Sequence, residues 1–220
     1  MLNNLIMNLK RMIISSSFFW KIRQYIQPEW IDSYDKKLTY IYLLDFASSN
    51  KISSVLDFGC ATGNYLYDLK KNNSNTLCYG IDISSKALEV CKNKFEKLDL
   101  SKKTYSFNPF TNEKSINTFL NANSVTNFDL IVFDRVLYCL TESEINNQFS
   151  ILTNYAKLIL IDDFQLDNDL DLQGYKHRDW ISIMKTFNFE CTINIPTIYS
   201  QVDKANPRTL VFKNLALTNL

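Results

Sequence analysis

Asp57 and Asp82 are the two acids whose setting in this 220-residue chain points to chemistry. The segment Val55-Leu56-Asp57-Phe58-Gly59-Cys60-Ala61-Thr62-Gly63-Asn64 reads as a buried strand, a glycine turn and the start of a helix. Gly59 lets the chain bend sharply at the strand end, and Gly63 lets the helix pack close to the sheet. The amides of such a turn and the positive end of the helix face a carboxylate. Asp57, two residues before Gly59, supplies the charge for an ammonium group. Twenty-five residues after Asp57, Tyr79-Gly80-Ile81-Asp82-Ile83 closes a second strand with another carboxylate. An acid placed there accepts both hydroxyls of a ribose, and Ile83 is placed against an adenine face. The glycine content sharpens the reading. Average usage is roughly 7%, yet the chain has four glycines, three of them within the 22 residues from Gly59 to Gly80.

These features describe a nucleoside joined to an amino acid, and S-adenosylmethionine is the common molecule of that shape. A nicotinamide dinucleotide is the nearest rival. It fits less well, because Asp57 would sit beside its pyrophosphate and the third glycine of G-x-G-x-x-G is absent.

The string VLDFGCATGNYL resembles motif I of the class I, Rossmann-like methyltransferases, and YGIDIS followed by Lys86-Ala87-Leu88 resembles their second motif. Phe128-Asp129-Leu130-Ile131-Val132-Phe133-Asp134-Arg135-Val136-Leu137-Tyr138-Cys139-Leu140 is similar to the family's fourth-strand segment. The resemblance spans about Ser54 to Phe212. It implies an α/β, three-layer sandwich around a mostly parallel seven-stranded sheet of order 3-2-1-4-5-7-6. It also implies transfer of a methyl group from S-adenosylmethionine, with Asp57, Phe58, Gly59, Cys60, Ala61, Gly63, Asp82, Ile83, Asn108 and Asp134 around the cofactor. Two positions depart from the family pattern. Ala61 replaces the middle glycine of the turn, and Asn108 stands where an acid often meets the adenine amino group.

The elements that must hold these residues are legible from periodicity. Ser54 to Asp57 reads as the first strand, a helix follows from about Gly63 to Lys71, and Leu77 to Asp82 gives the second strand. Ser84 or Ser85 caps a helix with Leu88, Cys91 and Phe95 on one face. Thr104 to Phe107 reads as a third strand, and a short helix is expected around Ile116 to Leu120. Asp129 to Phe133 and Leu158 to Ile161 are unbroken apolar runs, read as buried strands. Thr141 and Glu144 form a capping-box pair. A helix from His177 to Phe187 and strands over Glu190 to Ile195 and Thr209 to Lys213 complete the alternation. Residues 1–50, punctuated by Pro28, hold two helix candidates (Phe18 to Tyr25 and Asp35 to Ala47). They are read as an N-terminal helical cap or lid on the 51–220 methyltransferase domain, with Trp30 and Tyr34 resembling an entrance segment of some relatives.

Asp134 and Arg135 fall at the carboxyl end of the fourth strand, where open α/β sheets bind ligands. They read as catalytic candidates facing the methyl or its acceptor, or as a solvated pair at a loop. Tyr138 would line the acceptor pocket or pack beneath the helix, and Asp162 and Asp163, after the fifth strand, share the ambiguity of Asp134 and Arg135. His177, the only histidine, is a candidate general base or a capping residue. Arg178 would hold an anionic acceptor, or pair with Asp179 or Glu190.

With 24 basic and 23 acidic residues, the chain lacks the wide basic face of a nucleic-acid coat protein. The D/N-P-P-Y/F and Pro-Cys motifs of DNA methyltransferases are absent, so nucleic-acid substrates are disfavoured. Five scattered cysteines show no metal-ligand spacing and suit free thiols in a reducing cytoplasm. No apolar stretch reaches the roughly 18 residues of a membrane span, and the segment from Met12 to Trp20 reads as amphipathic, not as a signal peptide. The expected protein is a cytoplasmic enzyme that methylates an O or N nucleophile of a small molecule, without a metal. A macromolecular methyltransferase and a non-catalytic cofactor-binding protein are the alternatives.

Overall fold

In the computed structural model, which describes residues 38–98, 105–109, 114–165, 177–197 and 207–217 with positions 13 and 19, the apolar runs become the interior strands of one sheet. In chain order the elements are α1 (Leu38–Ser49), β1 (Ser54–Phe58), α2 (Asn64–Asn72), β2 (Leu77–Asp82), α3 (Ser85–Glu96), β3 (Tyr105–Pro109) and α4 (Lys114–Ala122). They continue with β4 (Phe128–Asp134), a 3₁₀ turn (Leu137–Cys139), α5 (Glu142–Leu152), β5 (Ala156–Phe164), α6 (Trp180–Thr186), β6 (Phe189–Pro196) and β7 (Pro207–Asn214). The strand order is β3-β2-β1-β4-β5-β7-β6. The first five strands run parallel, and β7 runs antiparallel to both β5 and β6. This is the order that the sequence resemblance implies.

Alternation along each strand sorts side chains onto two faces. On one face Val55, Leu130, Val132, Leu160 and Val211 pack with Leu43 of α1, Leu66 of α2, and Leu88 and Cys91 of α3. On the other, Leu56, Phe58, Ile131, Phe133, Ile161 and Phe212 pack with Phe119 of α4, Phe149 of α5, and Trp180 and Met184 of α6. The result is three layers with two cores.

The helix starts obey their capping chemistry. Ser84 accepts from the Ala87 amide, and both bonds of the Thr141–Glu144 capping box are present. The last helix begins later than periodicity suggests, at Trp180 instead of His177. Asp179 caps it through the Ser182 amide, while Arg178 is drawn into a parallel bridge with Gln165. The third strand runs two residues past Phe107, because Asn108 and Pro109 pair with Ile81 and Asp82. Most of the N-terminal cap, with Trp30 and Tyr34, lies outside the described residues. Of that cap, α1 buries Leu43, Phe46 and Ala47 in the first-face core.

At the amino ends of the strands, Asp129 fixes the start of β1 against β4. Its carboxylate accepts from the Ser53 amide at 2.9 Å and pairs with Lys157 at 2.8 Å. Burial works against that charge, but the bonds from Lys157 and Ser53 outweigh it and hold the acid down at about 2.

Candidate active site

The glycine turn sits where β1 ends. Gly59 adopts φ 84°, and a Cβ there would lie 2.8 Å from Val136 Cγ2. Gly63, the N-cap of α2, adopts φ 69°, and a Cβ there would collide with Cys91 Sγ. Both positions therefore need glycine twice over, for conformation and for space. Ala61 also lies in the left-handed region, at φ 47°. A methyl side chain tolerates that region at a cost of roughly 1–2 kcal/mol.

The turn is closed by its own backbone. Gly59 and Cys60 both donate to the Ile81 carbonyl, Gly63 donates to Cys60, and Ala61 donates to Asp82 Oδ2 at 2.9 Å. These four amides are thus engaged within the protein, contrary to the expectation that the turn amides would meet a carboxylate. The positive end of α2 is the part of the motif left to do so. Lys94 of α3 adds charge there, donating to Asn64 Oδ1 and to Thr62 Oγ1. Its role was not apparent from the sequence, where Lys94 falls among several lysines on the polar side of its helix.

Three acids stand together at the strand ends. Asp57 pairs across the sheet with Gly80 on β2 and Val132 on β4. Asp82 and Asp134 each lie two residues beyond those partners, so the three project from one face, with Asp57 between the other two and one step lower. An open cleft of about 390 Å³, counting the space that merges with solvent, lies over them. Asp57, Gly59, Cys60, Ala61 and Asp134 line it with Leu43, Thr62, Asn64, Tyr65 and Val132. No lysine, arginine or histidine is among these lining residues. Asp57 is 7% exposed. Burial pushes its carboxyl well above the usual range, and Asp134 and Asp82 push it further. Among the described residues no hydrogen-bond donor reaches it, so a cation is the ligand that this position favours.

Asp82 is turned onto the protein, accepting from Ala61 through one oxygen and from Ser84 through the other. Each carboxylate oxygen has a second acceptor site, so ribose hydroxyls fit the same group. Cys60 and Ala61 line the cleft as expected. Phe58 does not: its ring lies in the opposite core, 5.2 Å from Phe133. Only its backbone can face a ligand. Ile83 is half-buried beside Asp82. Asn108 holds its place in β3 opposite Ile81, and its side chain lies outside the described residues. Leu43 and Tyr65 were missed: Leu43 comes from a helix outside the motif, and Tyr65, inside the motif string, has nothing in its spacing to say that it lines the cleft.

The ends of β4 and β5 are built differently. Arg135, at φ 54°, donates through Nε to Asp162 Oδ1 at 2.8 Å, and its guanidinium lies 4.7 Å from the Phe164 ring centre. Asp162 is fully buried and also accepts from the Thr197 and Thr209 hydroxyls, each at 2.7 Å. Asp163 projects to the other face and accepts from the Tyr138 and Phe164 amides. Burial raises its carboxyl to about 7, although Arg135 and the two amides restrain the rise. Arg178 is buried as well. It meets neither Asp179 nor Glu190, but Glu142 Oε1 at 2.7 Å and the carbonyls of Leu137 and Leu140. The loop from Arg135 to Leu140 is therefore clamped by three charged groups. His177 stacks on Phe164 with ring centres 5.5 Å apart, and its buried Nε2 has no hydrogen-bond partner among the described residues. Tyr138 meets the same Phe164 ring edge-on.

Among the described residues no group of histidine, cysteine and carboxylate side chains forms a metal site. No described helix is long and apolar enough to cross a membrane.

Comparisons with known proteins bear on the family and the fold. Residues 49–206 match the family described as a methyltransferase domain. No curated protein matches the chain. Among solved structures, magnesium protoporphyrin IX methyltransferase from Synechocystis PCC 6803, with bound S-adenosylmethionine, is similar at a TM-score of 0.62 and 16% identity. That likeness covers 94% of this chain and 96% of the other. The methyltransferase domain of the bacterial protein CtHen1 is similar at 0.62 and 16% identity, over 80% of this chain and 96% of that one. M. capricolum TrmK, with S-adenosylhomocysteine, is similar at 0.61 and 14% identity, over 82% and 69%.

Proposed function

The chain belongs to the methyltransferase domain family, and from that premise we propose that it methylates an O or N nucleophile of a small molecule. Its cofactor is S-adenosylmethionine, which when bound supplies a methyl already activated on a cationic sulfur. The observation that carries the reading is Asp57, a buried acid with no described donor, facing a cleft with no basic side chain among its described lining residues. A cationic amino-acid end answers that charge.

In this reading Asp57 binds the ammonium group. The start of α2, with Lys94 beside it, takes the carboxylate. Asp82 holds the ribose hydroxyls, Ile83 and Asn108 flank the adenine, and the bare backbone at Gly59 and Gly63 permits close approach. Asp134 faces the reacting end from β4. His177 is the proton acceptor for the nucleophile, through an Nε2 that no described residue occupies. Arg135 acts through the loop it anchors, because its Nε is held by Asp162. The protein's contribution is orientation and exclusion of water, since the leaving group needs no activation. The near-neutral charge balance and the names of similar enzymes that act on magnesium protoporphyrin IX and mitomycin support a small acceptor. Five free cysteines support a reducing, cytoplasmic setting.

Incubation with methyl-labelled S-adenosylmethionine and a fractionated cell extract tests the acceptor class. Label is expected in the small-molecule fraction. Label in RNA or protein would move the substrate to a macromolecule, and cofactor binding without any labelled product would mark a non-catalytic protein. Once an acceptor is in hand, His177→Ala is expected to lower the transfer rate by about tenfold or more with cofactor affinity unchanged. An unchanged rate would take the base role from His177.

A further inference from the structure

Resting on the reading of His177 as the proton acceptor, we propose that Arg178 is the positioning residue of the transfer step: its guanidinium fixes the turn after β4 against the segment that carries the imidazole. Beside the end of β5, Arg178 makes a parallel bridge with Gln165, and its amide donates to the Phe164 carbonyl at 3.3 Å. The Trp180 indole donates to the same carbonyl at 3.1 Å, and the Trp180 amide donates to Gln165 Oε1 at 3.2 Å. The backbone that follows the imidazole is thereby tied to β5. The Arg178 side chain then crosses to the other segment. Nη1 donates to the Leu137 carbonyl at 3.0 Å and Nη2 to the Leu140 carbonyl at 2.6 Å. Leu137 opens the 3₁₀ turn and Leu140 caps it, returning its own amide to the Leu137 carbonyl. One planar cation thus holds both ends of the turn that carries Tyr138. Tyr138 and His177 meet the same Phe164 ring, one edge-on and one stacked. Turn, ring and imidazole form one unit, and the guanidinium links its two halves.

Stability alone is a poor reason to keep a cation there. The Arg178 side chain is 4% exposed, while that of its acid partner Glu142 is 68% exposed. A carboxylate so open to solvent is screened and offsets little of the cost of burying the cation. Apolar side chains of similar volume often hold such a site equally well. What they lack is a fork of donors that reaches two carbonyls at once, and lysine lacks it too. The fork fixes direction, which a base needs, because it must stand within about 3 Å of the proton it takes. Misplacement by about 1 Å can cost about a hundredfold in rate.

His177 is the only histidine of the chain, so its imidazole gives a single set of nuclear magnetic resonance signals, displaced by the Phe164 ring on which it stacks. In Arg178→Lys that displacement is expected to shrink. Methyl transfer to the small-molecule fraction of the extract should fall by about tenfold or more. The Kd for S-adenosylmethionine should stay within about threefold of wild type, because none of these residues is among the described lining of the cofactor cleft. Glu142→Ala removes the exposed partner and leaves both carbonyl bonds, so it should move the same signals in the same direction by less. It decides the matter if the lysine variant does not fold. Imidazole signals identical to wild type in Arg178→Lys, or in Glu142→Ala where the lysine variant is unfolded, would overturn the inference and leave the base role of His177 standing. Signals that move while transfer keeps its wild-type rate would overturn it as well. If His177→Ala transfers methyl as fast as wild type, the base role and the inference fail together.

Discussion

Two buried acids near the carboxyl ends of β5 and β1, Asp162 and Asp57, have opposite fates. Asp162 on β5 pairs across the sheet with Asp134 on β4, so the two occupy equivalent positions. Asp162 is fully buried and satisfied from within by Arg135, Thr197 and Thr209. Asp57, one strand further along, is nearly as buried but has a cleft in front of it and other acids beside it. The first acid ties β4, β5 and the β6–β7 end together. The second destabilises the empty protein and is relieved by a ligand. Burial of an acid therefore does not by itself mark a binding site. What separates the two is whether the protein supplies the compensating charge.

The largest effect should come from breaking that contrast. Asp162→Ala leaves the Arg135 guanidinium without its carboxylate and two hydroxyls without their acceptor. Loss of one partner of such a pair costs about 3–5 kcal/mol, to be read from the midpoint of urea unfolding. Asp57→Ala is expected to do the reverse, leaving stability unchanged or higher while removing cofactor binding. If both substitutions destabilise alike, the distinction between structural and ligand-facing acids fails.

Asp163 sharpens the comparison through pH. Its folded-state carboxyl, at about 7, lies above the ordinary value of 3.8, so the folded state holds a proton that the unfolded chain has already lost. Stability from this group is present below pH 4 and is lost as pH rises toward 7, with no further change above that. The unfolding free energy of the wild type should fall relative to that of Asp163→Asn by roughly 2–4 kcal/mol across that window. A difference that stays constant would show that the carboxyl is ionised throughout.

The cofactor side was far more legible in the sequence than the β4–β5 end, for a physical reason. Gly59, Gly63, Asp57 and Asp82 act through local geometry: a strand, a turn and a helix contiguous in the chain, with the second acid one crossover away. Their spacing is their function. The partners of Arg135 and Arg178 are set by non-local contacts, 27 and 36 residues distant for the two ion pairs. Periodicity placed Arg135 at the end of the fourth strand and Arg178 at the start of the last helix, but had no means of choosing Asp162 over solvent, or Glu142 over Asp179. One signal went unused. Asp162 and Asp163 are consecutive in a strand and so must face opposite sides, which already assigns them different surroundings.

Gly63 tests how tightly the legible half is built. Gly63→Ala forces a left-handed alanine against Cys91 Sγ, and overpacking of this kind costs about 1–3 kcal/mol. Cys91→Ala removes the obstructing sulfur, leaving a Cβ 3.4 Å from the new methyl. The double variant should therefore recover part of the loss, which a double-mutant cycle measures directly. No coupling between the two positions would mean that α3 shifts to accommodate the methyl.

Ala61→Gly is the smallest of these changes and bears on the one position where this turn departs from the family pattern. The native alanine sits at φ 47° and donates its amide to Asp82. Glycine removes the left-handed penalty of roughly 1–2 kcal/mol, but gives the unfolded chain more freedom, worth about 0.4–1 kcal/mol in the other direction. The two effects oppose each other, so unfolding free energy should rise by no more than about 1.6 kcal/mol. Cofactor affinity separates the outcomes. If the Ala61–Asp82 bond is what shapes the turn, glycine keeps the bond and affinity stays within about twofold of wild type. A much larger loss would mean that the alanine methyl itself contacts the ligand. The departure from glycine would then be a contact of this protein's own, on the same side of the cleft as Asp57.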